Sequence, residues 1–387
     1  MEIAAVNRIT RILGGHLWVF SNELFTSPKN FTPGSLVELT DRNGNFLGIG
    51  YVNPQSLISI RILTRKREEI DAAFFKRRIT AALEYRKRVI GEKNSFRAVY
   101  SESDFLPGLI VDKYGDCLSL QFLTLGMEAL SDMVIEALED VFSPSSIVLR
   151  NDSSIRSLEG LPLEKKVLKG AIDPLPRVEE DGAVLEVDPM SGQKTGFFLD
   201  QAENRNSFAS LASEGDGLDL FCYTGAWSMR LAGSGMRMTG VDSSDYAIGQ
   251  ARRNASLSGL SERCEFIKAD VFEFMREEAT AQKRYDAVVL DPPAFVKSKA
   301  RTAEGLKAYT ETNAACMRLL RPGGLLATSS CSYHVDRAAF LDMLRAAAKK
   351  GGRQARIIEV RSQAKDHPVS LAVPETEYLK CVLMEVI

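Results

Sequence analysis

The chain predicts an α/β protein: a doubly wound, Rossmann-like domain preceded by a small β-barrel and an α+β module. Three observations predict it. A length of 387 residues exceeds what one hydrophobic core usually supports. The first 72 residues alternate apolar and polar positions with period two, and from about residue 200 short continuous apolar runs alternate with helical stretches.

In the opening segment the alternation covers Ser35 to Thr40, Phe46 to Val52 and Leu57 to Leu63. Asp41-Arg42-Asn43-Gly44-Asn45 separates the first two strands, and Asn and Gly tolerate the positive φ of a tight hairpin. So few antiparallel strands need closure to protect their edges, which argues for a barrel over residues 1–72.

Residues 73–177 form the α+β module. A helix through residues 71–90 buries Phe74, Phe75, Ile79, Leu83 and Val89, so that the bases of this stretch, among them Arg77, Arg78, Arg86 and Lys87, face outward. Two readings follow: a solvated face, or contact with RNA phosphates. Pro107-Gly108 and Tyr114-Gly115-Asp116 mark turns, followed by a helix over Met127 to Val141 and a strand at Ile147 to Arg150.

Residues 178–387 make the third segment. After a hairpin signal at Asp181-Gly182, strands are expected at Gly217 to Phe221, Met238 to Val241, Cys264 to Ile267, Ala287 to Leu290 and Leu325 to Ser329. Apolar runs joined by helices imply parallel strands covered on both faces, with ligands at their carboxyl ends.

Composition bounds the function. With 45% hydrophobic and 26% charged residues the chain is globular, which excludes global disorder. A net charge of -2 leaves nucleic-acid contact to a local basic patch. The opening MEIAAVNRITRILGG lacks the apolar core of a signal peptide, and no apolar run approaches the roughly 20 residues that cross a bilayer. A soluble cytoplasmic protein without membrane contact is expected. Six scattered cysteines without a Cys-x-x-Cys pair, and three histidines, support neither a disulfide framework nor a metal site.

The chemistry gathers at the strand ends. Asp219-Leu220-Phe221-Cys222-Tyr223-Thr224-Gly225 runs from strand through turn to helix. Gly225 is the single glycine where dinucleotide sites have three, and no Walker lysine follows, so a cofactor without phosphates fits better than NAD. Asp242 at the second strand tip is placed for ribose hydroxyls, and Asp270 after the third for an adenine amino group. Strand four ends Asp291-Pro292-Pro293-Ala294-Phe295, a rigid rim offering Asp291 and Phe295 to a planar substrate. Strand five ends Ser330-Cys331-Ser332-Tyr333-His334, and a helix beginning near Asp336 favours a thiolate at Cys331.

In combination these motifs, with Asp366-His367-Pro368-Val369, Pro374-Glu375 and Tyr378-Leu379-Lys380 near the end, resemble the family of S-adenosylmethionine-dependent 23S ribosomal RNA cytosine-C5 methyltransferases. Gly15-His16-Leu17-Trp18-Val19-Phe20-Ser21 resembles the start of that family's RNA-binding PUA domain. The resemblance spans nearly the whole chain. It implies a class I Rossmann-like methyltransferase domain after a PUA-like barrel, with S-adenosylmethionine bound by Asp219, Phe221, Tyr223, Gly225, Asp242 and Asp270. Lys194-Thr195-Gly196-Phe197-Phe198-Leu199-Asp200-Gln201 is similar to the family's lead-in to the cofactor pocket.

The resemblance further implies Cys331 as nucleophile and Asp291 as the group that orients the base, Asp291 also bordering the cofactor. Thiolate addition at C6 makes C5 enamine-like, able to take a methyl group. The cytosine must be splayed from its stack, where Phe295 or Tyr333 meets it. Arg77 and Arg78 are the candidate contacts to 23S rRNA, and a homodimer is compatible with this reading. One departure stands out: a related group carries a second cysteine just after the strand-four motif, where this chain has Ala294, so the base that removes the C5 proton is unassigned. The rival functions are guanine methylation without a covalent intermediate and a non-catalytic ribosome assembly factor.

Overall fold

The computed structural model describes residues 1–296 and 298–387. The chain divides into two compact units. The first comprises Met1–Val178, Val187–Leu199 and Lys365–Thr376; the second comprises Glu179–Glu186, Asp200–Ala364 and Glu377–Ile387.

The first unit opens with β1 (Glu2–Ala5), α1 (Thr10–Leu13), β2 (Trp18–Phe20), β3 (Leu36–Thr40), β4 (Phe46–Val52) and β5 (Ile58–Thr64). They form one sheet in the order β1-β3-β4-β5-β2. Its two edges meet, because Val6 bridges Leu24 and the amides of Asn7 and Phe25 donate to Glu23 and Ala5 carbonyls at 2.6 and 3.0 Å. Closure leaves no long edge exposed. The sheet is not purely antiparallel, contrary to expectation: β1 pairs with β3 in parallel. In the expected hairpin, Asp41 Oδ1 accepts the Asn43 and Asn45 amides, both at 2.8 Å.

α2 (Ala72–Ile90) starts where Asp71 accepts the Phe74 amide at 2.7 Å and stops at Gly91. Beyond it come β6 (Ser95–Tyr100), β7 (Leu109–Tyr114), β8 (Cys117–Phe122), α3 (Leu125–Ala129), α4 (Ser131–Phe142), β9 (Ser146–Asn151), α5 (Ile155–Leu158) and β10 (Glu164–Lys169). The helix expected over Met127 to Val141 is thus two helices that meet at Leu130. The strands form a second sheet, β10-β9-β8-β7-β6. Barrel and module share one core, in which Ile49, Tyr51 and Leu63 pack with Phe74, Phe75, Val111 and Leu120. The Tyr51 hydroxyl donates to Pro107 O at 2.7 Å inside it. This shared burial, about 1.5–3 kcal/mol for each large apolar side chain, explains why segments that read as separate modules form one unit.

After the hairpin of β11 (Arg177–Glu180) and β12 (Ala183–Glu186), the second unit builds a layered α/β fold. Its elements are α6 (Ala202–Leu211), β13 (Asp216–Leu220), α7 (Ala226–Ser234), β14 (Arg237–Asp242), α8 (Asp245–Leu257), β15 (Cys264–Lys268), α9 (Val271–Thr280), β16 (Tyr285–Leu290), α10 (Thr302–Leu319), β17 (Leu320–Ser330), α11 (Arg337–Gly351), β18 (Ala355–Arg361) and β19 (Lys380–Val386). The sheet runs β15-β14-β13-β16-β17-β19-β18, with β19 antiparallel to both neighbours and β13 through β17 parallel. Strand order reverses between β13 and β16, the switch point where such sheets bind ligands. No helix among the described residues is long and apolar enough to cross a membrane.

Candidate active site

The turn after β13 is built on strain and one obligatory glycine. Phe221 and Tyr223 take positive φ values of 62° and 47°, a conformation that is uncommon for bulky residues and concentrates at functional sites. Gly225 follows at φ 84°, and a Cβ there would lie 2.8 Å from the Phe266 ring. The strained turn is held from beneath. Tyr223 N–H donates to Asp242 Oδ2 at 3.0 Å, and Ser244 N–H to Asp242 Oδ1 at 2.9 Å, so Asp242 ties the first loop to the second. Asp242 is half-buried at the tip of β14, as foreseen.

Asp219 lies in β13 and Asp270 follows β15, as expected, and each accepts hydrogen bonds from the first turn of a helix. Asp219 has no exposed surface. Its Oδ2 accepts both the amide and the hydroxyl of Ser228, at 3.0 and 2.7 Å, and anchors the first turn of α7. It shapes the loop through the first turn of α7. Oδ1 finds no hydrogen-bond partner among the described residues. Burial, with the charges of Asp291 and Asp242, pushes its carboxyl up to about 7 against the Ser228 hydrogen bonds. Asp270 is the N-cap of α9, its Oδ1 accepting the Phe272 and Glu273 amides at 2.9 and 3.0 Å; only Oδ2 lies outside the cap.

These observations fit S-adenosylmethionine. Three carboxylates act on one another around the switch point, and one is buried with an unmatched oxygen. A sulfonium and an ammonium group offset that field, whereas a pyrophosphate would add to it. Asp242 and the Phe221–Gly225 loop border the switch point and would hold such a ligand.

Asp291 and Cys331 each follow directly on a strand end, β16 and β17, which lie side by side and pair Leu290 with Thr328. Gln201 joins the two strand ends: its Nε2 donates to Asp291 Oδ2 at 3.0 Å and to Ser329 Oγ at 3.1 Å. Asn204 Nδ2 donates to Gln201 Oε1 at 2.6 Å, which fixes the amide's orientation. Trp227 Nε1 also donates to Asp291 Oδ2, at 3.3 Å.

The two loops are also locked together through Tyr309 of α10. Ser330 Oγ donates to the Tyr309 hydroxyl at 3.1 Å, and Ser332 Oγ lies 3.0 Å from that hydroxyl. Ser332 Oγ further accepts the Val296 amide at 3.2 Å. The serines on either side of Cys331 are thus structural clamps, and Cys331 stands between them half-exposed while the other five cysteines are buried. Burial and then the charge of Cys331 push the Tyr309 phenol up, against its serine hydrogen bonds. Phe295 is half-buried in an aromatic cluster, its ring centroid 4.6 Å from Tyr309 and 6.4 Å from both Phe221 and Phe272. Tyr333, in contrast, is 58% exposed.

The basic helix needs one correction. Arg86 does not face outward: it is 1% exposed, donates to both carboxylate oxygens of Asp104, and reaches Asp366 O at 2.9 Å. Arg78 is half-buried, with its guanidinium 5.3 and 5.5 Å from the Phe74 and Phe105 rings and donating to Leu63 O at 3.3 Å. Its guanidinium thus packs partly against the module. Arg77 is exposed, paired to Glu68 at 2.9 Å, and Lys76 and Lys87 share that outer face.

A PUA-like domain model matches residues 7–65, and a methyltransferase domain model matches residues 212–370. The chain is 36% identical over 381 residues to the ribosomal RNA large subunit methyltransferase I of Pseudoalteromonas atlantica, covering 97% of this chain and 96% of that one. To the protein of the same name from Aeromonas hydrophila it is 38% identical over 376 residues, 95% of each chain. Among solved structures, a candidate SAM-dependent methyltransferase from Streptococcus mutans superimposes with a TM-score of 0.84 at 20% identity over 100% of both chains. A candidate methyltransferase, SMU.776, complexed with SAH gives 0.84 and 20% over 99% of both.

Proposed function

Because the chain belongs to the family of the ribosomal RNA large subunit methyltransferases I, we propose that it transfers a methyl group from S-adenosylmethionine to C5 of a cytosine in 23S rRNA, through a covalent bond between Cys331 and C6. The observation that carries this reading is Cys331, the one cysteine that is not buried, clamped between two serines on the strand end next to that of Asp291.

Cytosine C5 is a weak nucleophile. When the Cys331 sulfur adds its electron pair to C6, the C5–C6 π pair moves toward C5 and N3, and C5 becomes reactive. Asp291, oriented by Gln201 and Trp227, meets N3 or the exocyclic amine and stabilises the charge that develops in the ring. S-adenosylmethionine, when bound, supplies the electrophilic methyl group. Loss of the C5 proton then returns the S–C6 pair to sulfur, which leaves as thiolate. Asp242 and the Phe221–Gly225 loop hold the cofactor, and Tyr333 offers an exposed ring against which an unstacked base can rest.

The test is trapping. A large-subunit rRNA substrate carrying 5-fluorocytidine cannot lose the C5 substituent as a proton. With S-adenosylmethionine present, the wild-type chain should form a protein–RNA complex that survives denaturing electrophoresis, and Cys331→Ala should form none. Absence of a complex with the wild type, alongside normal methyl transfer to unmodified RNA, would contradict the covalent route.

A further inference from the structure

Lys380 lies in a stretch of the family resemblance, Tyr378-Leu379-Lys380, to which no role has been attached. It opens β19, where its main chain stands opposite Ser330, the last residue of β17. The residue is only 5% exposed. Its Nζ donates to Ser332 O at 2.7 Å and to Tyr378 O at 2.9 Å, so the nitrogen is fixed against the carbonyl of the residue that follows Cys331.

A buried ammonium is costly unless an opposite charge is close. No carboxylate forms an ion pair with Lys380 among the described residues. The charges that act on it are those of Cys331 first, then Glu377 and Asp336. The amino end of α11 offers Cys331 less help than the sequence suggests, since Asp336 caps that end with a carboxylate that accepts the Ala339 amide at 2.8 Å.

We propose that Lys380 is the positioning residue that holds Cys331 in its thiolate form. In the neutral pair the Cys331 S–H bond breaks, a Lys380 N–H bond forms, and the S–H electron pair stays on sulfur. The result is a thiolate beside an ammonium already tethered by two carbonyl oxygens. When the S–C6 bond breaks at the end of the reaction, the electron pair returns to sulfur beside the same ammonium. Burial lowers Lys380 to about 8 while the Cys331 charge raises it, so both protonation states lie within reach near neutral pH. The inference rests on Cys331 being the nucleophile.

The test reads the thiol directly. The full-length protein is alkylated with iodoacetamide across a pH series, and modification of the Cys331 peptide is followed by mass spectrometry; the other five cysteines are buried. The wild-type midpoint should fall at least about one pH unit below the ordinary thiol value near 8.5. Lys380→Met should move it up by about one unit or more, Lys380→Arg should keep it low, and the pH profile of kcat on rRNA should follow. A wild-type midpoint at or above the ordinary value overturns the proposal even if Lys380→Met fails to fold, and so does a Lys380→Met profile that overlays the wild type. A low midpoint that depends on Lys380, with a product other than 5-methylcytosine, upholds the pair and removes the cytosine reading. 5-Methylcytosine formed by a protein with an ordinary thiol midpoint does the reverse.

Discussion

Gln201 donates its side-chain amide to Asp291 Oδ2 at 3.0 Å, and Asn204 prevents that amide from flipping. Asp291 Oδ2 is therefore held in place before any substrate arrives. A hydrogen bond to a charged group is worth about 1.5–3 kcal/mol, roughly ten- to a hundredfold in rate where it matters in the transition state. Gln201→Ala should lower kcat for methyl transfer by that factor and leave S-adenosylmethionine affinity within about threefold, measured by single-turnover transfer and by calorimetry. Unchanged kcat would reduce Gln201 to packing.

Tyr309→Phe removes the hydroxyl that joins Ser330 and Ser332 around Cys331. Two buried hydrogen bonds lose a partner, at about 1 kcal/mol each. A lower melting temperature together with a loss of kcat of about tenfold or more should result. Full activity in a destabilised Tyr309→Phe protein would show that the clamp supports the fold without positioning the thiol.

Asp219 gives a pH signature. Its carboxyl is raised from 3.8 to about 7 in the folded state, so between those values the folded protein binds a proton that the unfolded chain has lost. The stability this contributes is present below about pH 4 and is lost as pH rises toward 7. Asp219→Asn keeps an acceptor for Ser228 without the titration, so its stability relative to wild type should increase from pH 5 to pH 7 in urea unfolding. A pH-independent difference would contradict the raised value.

Arg86 and Arg77 separate structural from RNA-binding roles. Arg86→Ala leaves Asp104 buried without its partner and should cost about 3–5 kcal/mol of stability. Arg77→Glu together with Lys87→Glu changes exposed groups and should leave stability within about 1 kcal/mol. That double change should weaken rRNA binding and flatten its salt dependence by about one unit of slope per lost phosphate contact, with cofactor affinity unchanged. Unaltered RNA affinity would make this helix face a solvated surface.

Much of this architecture is legible in local pattern. Period-two alternation located β4 from Phe46 to Val52 with the same bounds as the structure, and the apolar runs located β13 through β17 to within a few residues, because burial of both sheet faces leaves a contiguous trace in the chain. β19 carries such a run, Cys381 to Met384, without a flanking helix to mark it as one more strand of the same sheet, and the parallel pairing of β1 leaves no local trace, because it depends on a partner more than 30 residues away. Asp242, Asp291 and Cys331 were legible because each stands directly at a strand end. The contacts of Gln201 and Lys380 are harder to foresee: they reach residues 90 and 48 positions distant, and a polar residue in sequence does not reveal that it will be buried. Arg86 misled for that reason, since helical periodicity places a base on a face but does not tell which acid will be folded against it.

On the proposed function, Cys331 does chemistry on a cytosine. The direct measurement is methyl transfer from labelled S-adenosylmethionine to unmodified large-subunit rRNA with nucleoside analysis of the product, comparing wild type with Cys331→Ala. 5-Methylcytosine made by the wild type and absent with Cys331→Ala is the expected result. A different methylated nucleoside, or 5-methylcytosine made equally well without the thiol, would contradict it.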